Sequence, residues 1–397
     1  MSAGLRLGLS AQRLSGHRLG VGRYLEYLLR EWARLPQSFA EVNLYSREPV
    51  GADVLALSPR YRGRRVTSPV EALLWEQAAL PLAARHDDVL FCPSYTMPLA
   101  YPGHCVITNH GLYDGLKGSF PWWYRFRYSL FYKPSAQRAD LVLAISESAK
   151  RDMMRYYGLS PHKIQVVYPA PAERFRPMHD RAALAAVKAK YGVADSPLVV
   201  FAGKLSRRRH VPELVRAFAL LKRRYRLPHK LLIIGPDYLN LGIGKHIAAS
   251  GCADDILHFT FADHDDMPLL YNAADLYVLP TEHEGFSFTI MEAMACGRAV
   301  VTLDHASLRE GLFDGAHCAA SAAPESLCEA LAAVLTDAEF RRRLEERALA
   351  QIAAFTWERS ARLTLRALES VVTGRMADDT ISELAIGREL RAGPRRN

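Results

Sequence analysis

The chain has 397 residues, 49% of them hydrophobic and 23% charged, which suits two or three globular domains with a large core. No apolar run approaches the ~20 residues needed to span a membrane, no long apolar segment follows Met1–Arg6, so no secretory leader is expected, and the six cysteines (92, 105, 252, 296, 318 and 328) lack paired metal-ligand spacing and read as reduced cytosolic thiols. The net charge of +9 fits anionic partners such as nucleotides, nucleic acid or a lipid surface, although the runs Arg207–Arg209, Arg223–Arg224, Arg341–Arg343 and Arg395–Arg396 are also what solvated helix faces and tails look like.

Leu5–Ser10 reads as a first strand, followed by a glycine-rich turn from Gly16 to Gly22. Tyr24, Leu25, Leu28, Leu29, Trp32 and Leu35 then recur at helical spacing until Pro36. Asp88–Cys92, Cys105–Thr108 and Asp140–Ile145 look like buried strands. Alternation of strands and helices implies parallel sheet with crossover helices. The Pro-rich stretch Tyr168–Pro171 and Phe175-Arg176-Pro177 mark a boundary, after which a second series begins. Its strands are Leu198–Gly203, Leu231–Gly235, Ile256–Phe259, Asp275–Pro280 and Ala299–Thr302. Two consecutive α/β units suggest two doubly wound domains facing a cleft, with ligands outside the carboxyl ends of the strands.

Four places at strand ends could carry chemistry. In Thr281–Gly297, Glu284 and Glu292 stand on either side of seven residues, and a small-residue turn opens into a helix between them. Helix N-termini present unpaired amides and partial positive charge, and carboxylates accept hydrogen bonds from hydroxyls, so this stretch suits a ligand that is part phosphate and part sugar. Gly203-Lys204-Leu205-Ser206-Arg207-Arg208-Arg209-His210 puts cations at a strand-to-helix turn, placed for a diphosphate or simply solvated. Gly20-Val21-Gly22-Arg23 allows close backbone approach at a helix start, but lacks the full spaced-glycine fingerprint, so a bare tight turn competes. His110 ends a buried strand, where a structural histidine is the ordinary reading and a ligand contact the sharper one. Residues 120–133, from Phe120-Pro121-Trp122-Trp123 to Tyr132-Lys133, are crowded with aromatics and bases; they fit a membrane interface, or a buried helix with snorkelling arginines. We favour the interface, because the aromatics cover more than one face.

From about residue 5 to about 372 the chain resembles glycosyltransferase family 4, retaining enzymes with the two-domain GT-B architecture. The most specific likeness is Glu284-Gly285-Phe286 through Glu292–Gly297, which resembles the family's Glu-(seven residues)-Glu signature. Leu270–Asp275 resembles the helix and strand start that precede it, and Phe355-Thr356-Trp357-Glu358 the start of a final helix that crosses back to the N-terminal domain. The resemblance implies an acceptor-binding Rossmann-like domain over 1–175 and a nucleotide-sugar domain over 176–357. A crossover helix over 358–375 and a flexible tail over 376–397 would follow.

By the same resemblance, Glu292 accepts hydrogen bonds from ribose hydroxyls and Glu284 manages the transferred sugar. Gly285 and the amides of Phe286 and Ser287 face the sugar or diphosphate. Lys204 and Arg209 hold the diphosphate beside Gly203, with Arg208 able to replace either. His110 reaches the donor sugar. Gly20, Gly22 and Arg23 form the acceptor and phosphate loop, and Phe261, Ala262 and Asp263 lie where backbone groups meet the base. The sequence departs from the family in several places: Lys204 stands where Arg is frequent and Arg209 where Lys is, Gly111 follows the histidine in place of aspartate, Ser287-Phe288-Thr289 replaces Gly-Leu-Pro, and Tyr168–Pro171 replaces the hinge motif.

The expected activity is retaining transfer of a sugar from a nucleoside-diphosphate sugar to a glycan or lipid-linked acceptor in cell-surface polysaccharide synthesis. No cofactor or metal is expected, since no Asp-x-Asp-like pair sits at a plausible strand end, and no nucleic-acid partner is expected. The location would be cytoplasmic, peripheral at an anionic inner membrane face. A sugar-nucleotide epimerase of the same architecture would consume the donor without an acceptor, so product analysis separates it. A non-catalytic sugar-nucleotide-binding scaffold would not need both glutamates and both cations.

Overall fold

The computed structural model describes residues 4–16, 18, 20–68, 70–111 and 122–374, with the backbone alone for 122–129. The tail expected over 376–397 and Phe120-Pro121 of the aromatic-basic segment lie outside the described residues. The chain divides into two units, residues 1–169 with 356–397, and residues 170–355. The first junction falls within the Pro-rich stretch Tyr168–Pro171, six residues before the 175/176 boundary that the resemblance implies.

In chain order the first unit runs β1 (Leu5–Ser10), α1 (Val21–Arg34), β2 (Phe39–Ser46), α2 (Ala52–Leu55), β3 (Tyr61–Arg65), α3 (Ala72–Ala83), β4 (Val89–Cys92), β5 (His104–Asn109), α4 (Trp122–Arg138), β6 (Leu141–Ala144), α5 (Glu147–Asp152) and β7 (Ile164–Val166). The second runs α6 (Arg181–Lys190), β8 (Leu198–Ala202), α7 (Val211–Tyr225), β9 (Lys230–Ile234), α8 (Ile243–Ala248), β10 (Ile256–Phe259), α9 (Asp266–Ala273), β11 (Leu276–Leu279), α10 (Phe288–Ala295), β12 (Val300–Leu303), β13 (Ala316–Ala319), α11 (Pro324–Thr336) and α12 (Ala338–Ile352). The last helix, α13 (Trp357–Thr373), belongs to the first unit.

Each unit is built on one all-parallel sheet, in the order β3-β2-β1-β4-β5-β6-β7 in the first and β10-β9-β8-β11-β12-β13 in the second. Strand order reverses at β1/β4 and at β8/β11, the doubly wound arrangement that opens a crevice at the carboxyl ends of those strands. Parallel strands are covered by helices on both faces, so they read as continuous apolar runs rather than alternating ones. Leu198-Val199-Val200-Phe201-Ala202 is such a run, buried throughout. At the sheet edge the rule relaxes: in β3 only Tyr61 is buried and Arg62, Arg64 and Arg65 face solvent. Charge on an edge strand discourages pairing with another chain.

The return of α13 rests on specific contacts. Thr356 caps the helix, its hydroxyl accepting from the Arg359 amide at 3.3 Å. Trp32 of α1 donates from Nε1 to the Ala361 carbonyl at 3.0 Å. The Trp357 ring packs at 5.8 Å from Tyr24 and 5.0 Å from Tyr27. Ala361, Leu365 and Leu368 are buried on the same face, the i, i+4, i+7 stripe an amphipathic helix lays on a core.

Candidate functional site

In the second unit the loops leaving β8, β11 and β12 meet at a charged cluster. The chain leaves β8 through Gly203, whose φ of +141° few side chains tolerate; a Cβ there would also lie 2.3 Å from Arg209 Nη1. That space lets the Arg209 guanidinium fold back along its own turn, where Nη1 donates to the Lys204 carbonyl at 3.1 Å. Its Nε then donates to Glu284 Oε1 at 2.9 Å. Arg208 reaches the same oxygen from Nη1 at 2.5 Å, and also bonds the Thr281 hydroxyl at 3.1 Å and the His283 carbonyl.

Glu284 is thus a charged carboxylate with only 4% exposure between two guanidinium groups. Burial alone would raise its pKa, but the charges and hydrogen bonds of Arg209 and Arg208 outweigh burial and hold it at about 2. The second cation on Glu284 is therefore Arg208. The Lys204 ammonium lies over the Tyr238 ring at 5.8 Å. The resemblance put Lys204 and Arg209 on the diphosphate with Arg208 able to replace either; in the structure Arg208 and Arg209 are the two cations held on Glu284.

Three further groups escaped the sequence reading. Thr281 donates to Glu284 Oε1 at 3.2 Å, and Ser307, beyond β12, donates to the Glu284 carbonyl at 3.0 Å. His305, also beyond β12, is 6% exposed, and its Nδ1 accepts from the Leu308 amide at 3.2 Å. A hydrogen on Nδ1 would face the amide hydrogen, so the proton sits on Nε2, and that buried nitrogen has no hydrogen-bond partner among the described residues. Burial lowers the His305 pKa to about 4 despite the nearby Glu284 charge, so the ring is neutral. Only a strand-end position could have pointed to these residues beforehand.

Between the glutamates, Gly285, Phe286 and Ser287 are buried at the entry to α10. The Phe286 ring packs on Phe355 at 5.4 Å, so the ring serves the core. Ser287 caps α10 with its hydroxyl 3.4 Å from that of Thr289 and, among the described residues, no side-chain bond to a first-turn amide, which leaves that helix end suited to an anion. Glu292, one turn before the helix C-terminus, is 8% exposed and takes a hydrogen bond from Tyr271 at 3.3 Å. After β10, Phe261 is 60% exposed, Ala262 is partly buried, and Asp263 pairs with Lys190 while its amide donates to the Tyr191 hydroxyl at 3.1 Å.

The first unit holds the remaining candidates. Gly20 is the N-cap of α1 with φ +37°. A Cβ on Gly22 would lie 2.3 Å from the Arg13 carbonyl, so the close approach this glycine permits is to its own chain. Arg23 Nε donates to the Arg18 carbonyl at 3.3 Å, and Arg18 is held in a bidentate pair with Asp53 at 2.7 and 2.8 Å. His110 follows β5, is buried, and bonds the Pro93 carbonyl through Nε2 at 2.8 Å. Burial lowers its pKa to about 4, more than that hydrogen bond raises it, so it is neutral near pH 7 with Nδ1 left as an acceptor. The six cysteines are free thiols. Among the described residues no helix is long and apolar enough to cross a membrane.

Comparison with known proteins adds to this geometry. The family model described as "Glycosyl transferases group 1" matches residues 186–351, and that described as "Glycosyltransferase Family 4" matches residues 19–170. The chain is 28% identical over 250 residues to the serotype-specific mannosyltransferase WbdA of Escherichia coli, covering 61% of this chain and 30% of WbdA. It is 30% identical over 279 residues to the D-inositol 3-phosphate glycosyltransferase of Nocardia farcinica, covering 65% of this chain and 61% of that relative. The match thus spans less than two thirds of either relative's length. Among solved structures, Anabaena HepE in complex with UDP and glucose superposes with a TM-score of 0.72 at 16% identity, over 92% of this chain and all of that one. At that identity the likeness is one of fold.

Proposed function

The chain belongs to glycosyltransferase family 4, and from that premise we propose that it is a retaining glycosyltransferase that moves a sugar from a nucleoside diphosphate to a glycan or lipid-linked acceptor in polysaccharide synthesis. The observation that carries this reading is the pair Arg208 and Arg209 converging on one buried carboxylate oxygen, at the carboxyl ends of the strands and beside the start of α10. Two guanidinium groups so held can receive the negative charge that grows on a departing diphosphate, and preorganised donors in a dry site do this at little reorganisation cost. The relatives' names add the sugar chemistry, and HepE, with UDP and glucose bound, the donor class.

In this reading the bond between the sugar's anomeric carbon and the phosphate oxygen breaks while the acceptor oxygen attacks from the same face. The acceptor's proton passes to the leaving phosphate, so no protein base is needed and no metal is called on. The donor's phosphate oxygens take over hydrogen bonds that Glu284 now receives, which frees that carboxylate to orient the sugar. Glu292 holds the ribose hydroxyls. Closure over the donor limits hydrolysis. Residues 120–133 would hold the protein at an anionic inner membrane face.

Glu292→Ala tests the reading. A charged hydrogen bond to ribose implies a loss of about 10- to 100-fold in nucleotide-sugar affinity, measured by calorimetry against a panel of nucleotide sugars. Unchanged affinity would refute the assignment.

A further inference from the structure

The turn that carries Arg208 and Arg209 ends on a residue in an unfavourable conformation. Arg207–Arg209 make a single 3₁₀ turn, and His210, which closes it and precedes α7, has φ +45° and ψ +40°. That left-handed region suits glycine; a bulky residue there is strained, and such strain persists where the surroundings fix it and collects at functional sites. The His210 side chain makes no capping bond to α7 among the described residues, so the helix start does not explain it. The ring stands instead between two carboxylates. Its Nε2 lies 2.9 Å from Glu282 Oε1, on the loop leaving β11, and its Nδ1 lies 3.8 Å from Glu213 Oε2, in the first turn of α7. The nearer approach is a charge contact without the alignment of a hydrogen bond. Beside it the Glu282 amide donates to the Arg208 carbonyl at 3.1 Å.

These two contacts differ in kind from the others that join the exits of β8 and β11. Arg208 and Arg209 bridge the exits through their guanidinium groups, which reach Glu284, the Thr281 hydroxyl and the His283 carbonyl. A donor phosphate that takes over the hydrogen bonds of Glu284 would draw those groups away and loosen that bridge. The His210–Glu282 pair and the Glu282 amide use no guanidinium nitrogen, so they hold whether the arginines face Glu284 or a phosphate. A guanidinium serves a ligand well only while the backbone beneath it stays in place.

We propose that His210 is a positioning residue: through Glu282 it latches the turn after β8 to the loop after β11, so that Arg208 and Arg209 keep their place when they exchange Glu284 for the donor's diphosphate. The diphosphate rests on the glycosyl-transfer reading; the latch itself does not.

Calorimetry with UDP, GDP and ADP, thermal melting and amide hydrogen exchange on the full chain test it. His210→Gly and His210→Asn both suit a left-handed backbone and both remove the ring, while Glu282→Ala removes the carboxylate and keeps the amide. Each should weaken nucleoside-diphosphate binding about fivefold, the scale of a partly exposed ion pair, and speed exchange over residues 281–284. His210→Gly should nonetheless melt at or above the wild-type temperature, because the strain is gone. Combining His210→Gly with Glu282→Ala should weaken binding no further than either change alone. Binding unchanged in all three single variants, or lost only in step with the melting temperature, would overturn the latch. A wild-type chain that binds none of the three nucleotides would sink the transferase reading instead. Exchange then decides alone: faster exchange over 281–284 in the variants sustains the latch, and exchange like wild type overturns it.

Discussion

Glu284 shows how much one residue's role depends on neighbours that are distant in sequence. Its pKa near 2 lies below the ordinary 4.5, so its ionised form stabilises the fold above pH 4.5, and that stability disappears as pH falls from there toward 2. The gap of this size corresponds to roughly 3 kcal/mol. Glu284→Gln should therefore cost about that much stability at pH 7 in urea unfolding, with the difference from wild type shrinking as pH approaches 2. It should also leave two guanidinium groups without their carboxylate, so free UDP or GDP should bind more tightly while transfer falls. Weaker diphosphate binding in that variant would mean the arginines serve Glu284 rather than a ligand. The seven-residue spacing and the strand-end cations were legible in the sequence because they are local patterns. Ser307 was not, because its approach to Glu284 is made by the meeting of two strand exits.

Elements were legible where burial forces composition. β8, β9 and β11 fall close to where continuous apolar runs put them, since a strand covered on both faces has no room for polar side chains. β3 and β13 gave no such signal, because both are edge strands, and β3 is mostly arginine and glycine. The start of α1 shows a different limit. The sequence leaves a ligand loop and a bare tight turn both open at Gly20 and Gly22, and in the structure Gly22 lies where the helix passes the Arg13 carbonyl. Gly22→Ala should force that contact apart and lower stability by about 1–3 kcal/mol, read as a drop in melting temperature without nucleotide. If melting is unchanged but nucleotide-sugar binding falls, the glycine serves the ligand after all.

For the whole molecule, alternation along the chain was enough to divide it into two doubly wound units. The return of α13 to the first unit had no signal in composition and came only through the resemblance around Phe355–Glu358; physically it depends on Trp32 reaching the Ala361 carbonyl and Trp357 packing on Tyr24, each across more than three hundred residues. Net charge is likewise a whole-molecule property, and the +9 excess bears on the membrane contact proposed for residues 120–133. Exposed Arg62, Arg64 and Arg65 lie on the edge strand of the same unit as the aromatic-basic segment. Charge of this kind attracts anionic lipid only within a Debye length of about 8 Å at physiological salt, and aromatic side chains add a salt-resistant hold at the interface. The protein should therefore sediment with vesicles containing anionic lipid at low salt and be only partly released at high salt. Serine at Trp122, Trp123 and Arg125 together should remove the salt-resistant fraction while leaving the melting temperature near wild type. Binding that survives those substitutions at high salt would take the membrane contact away from residues 120–133.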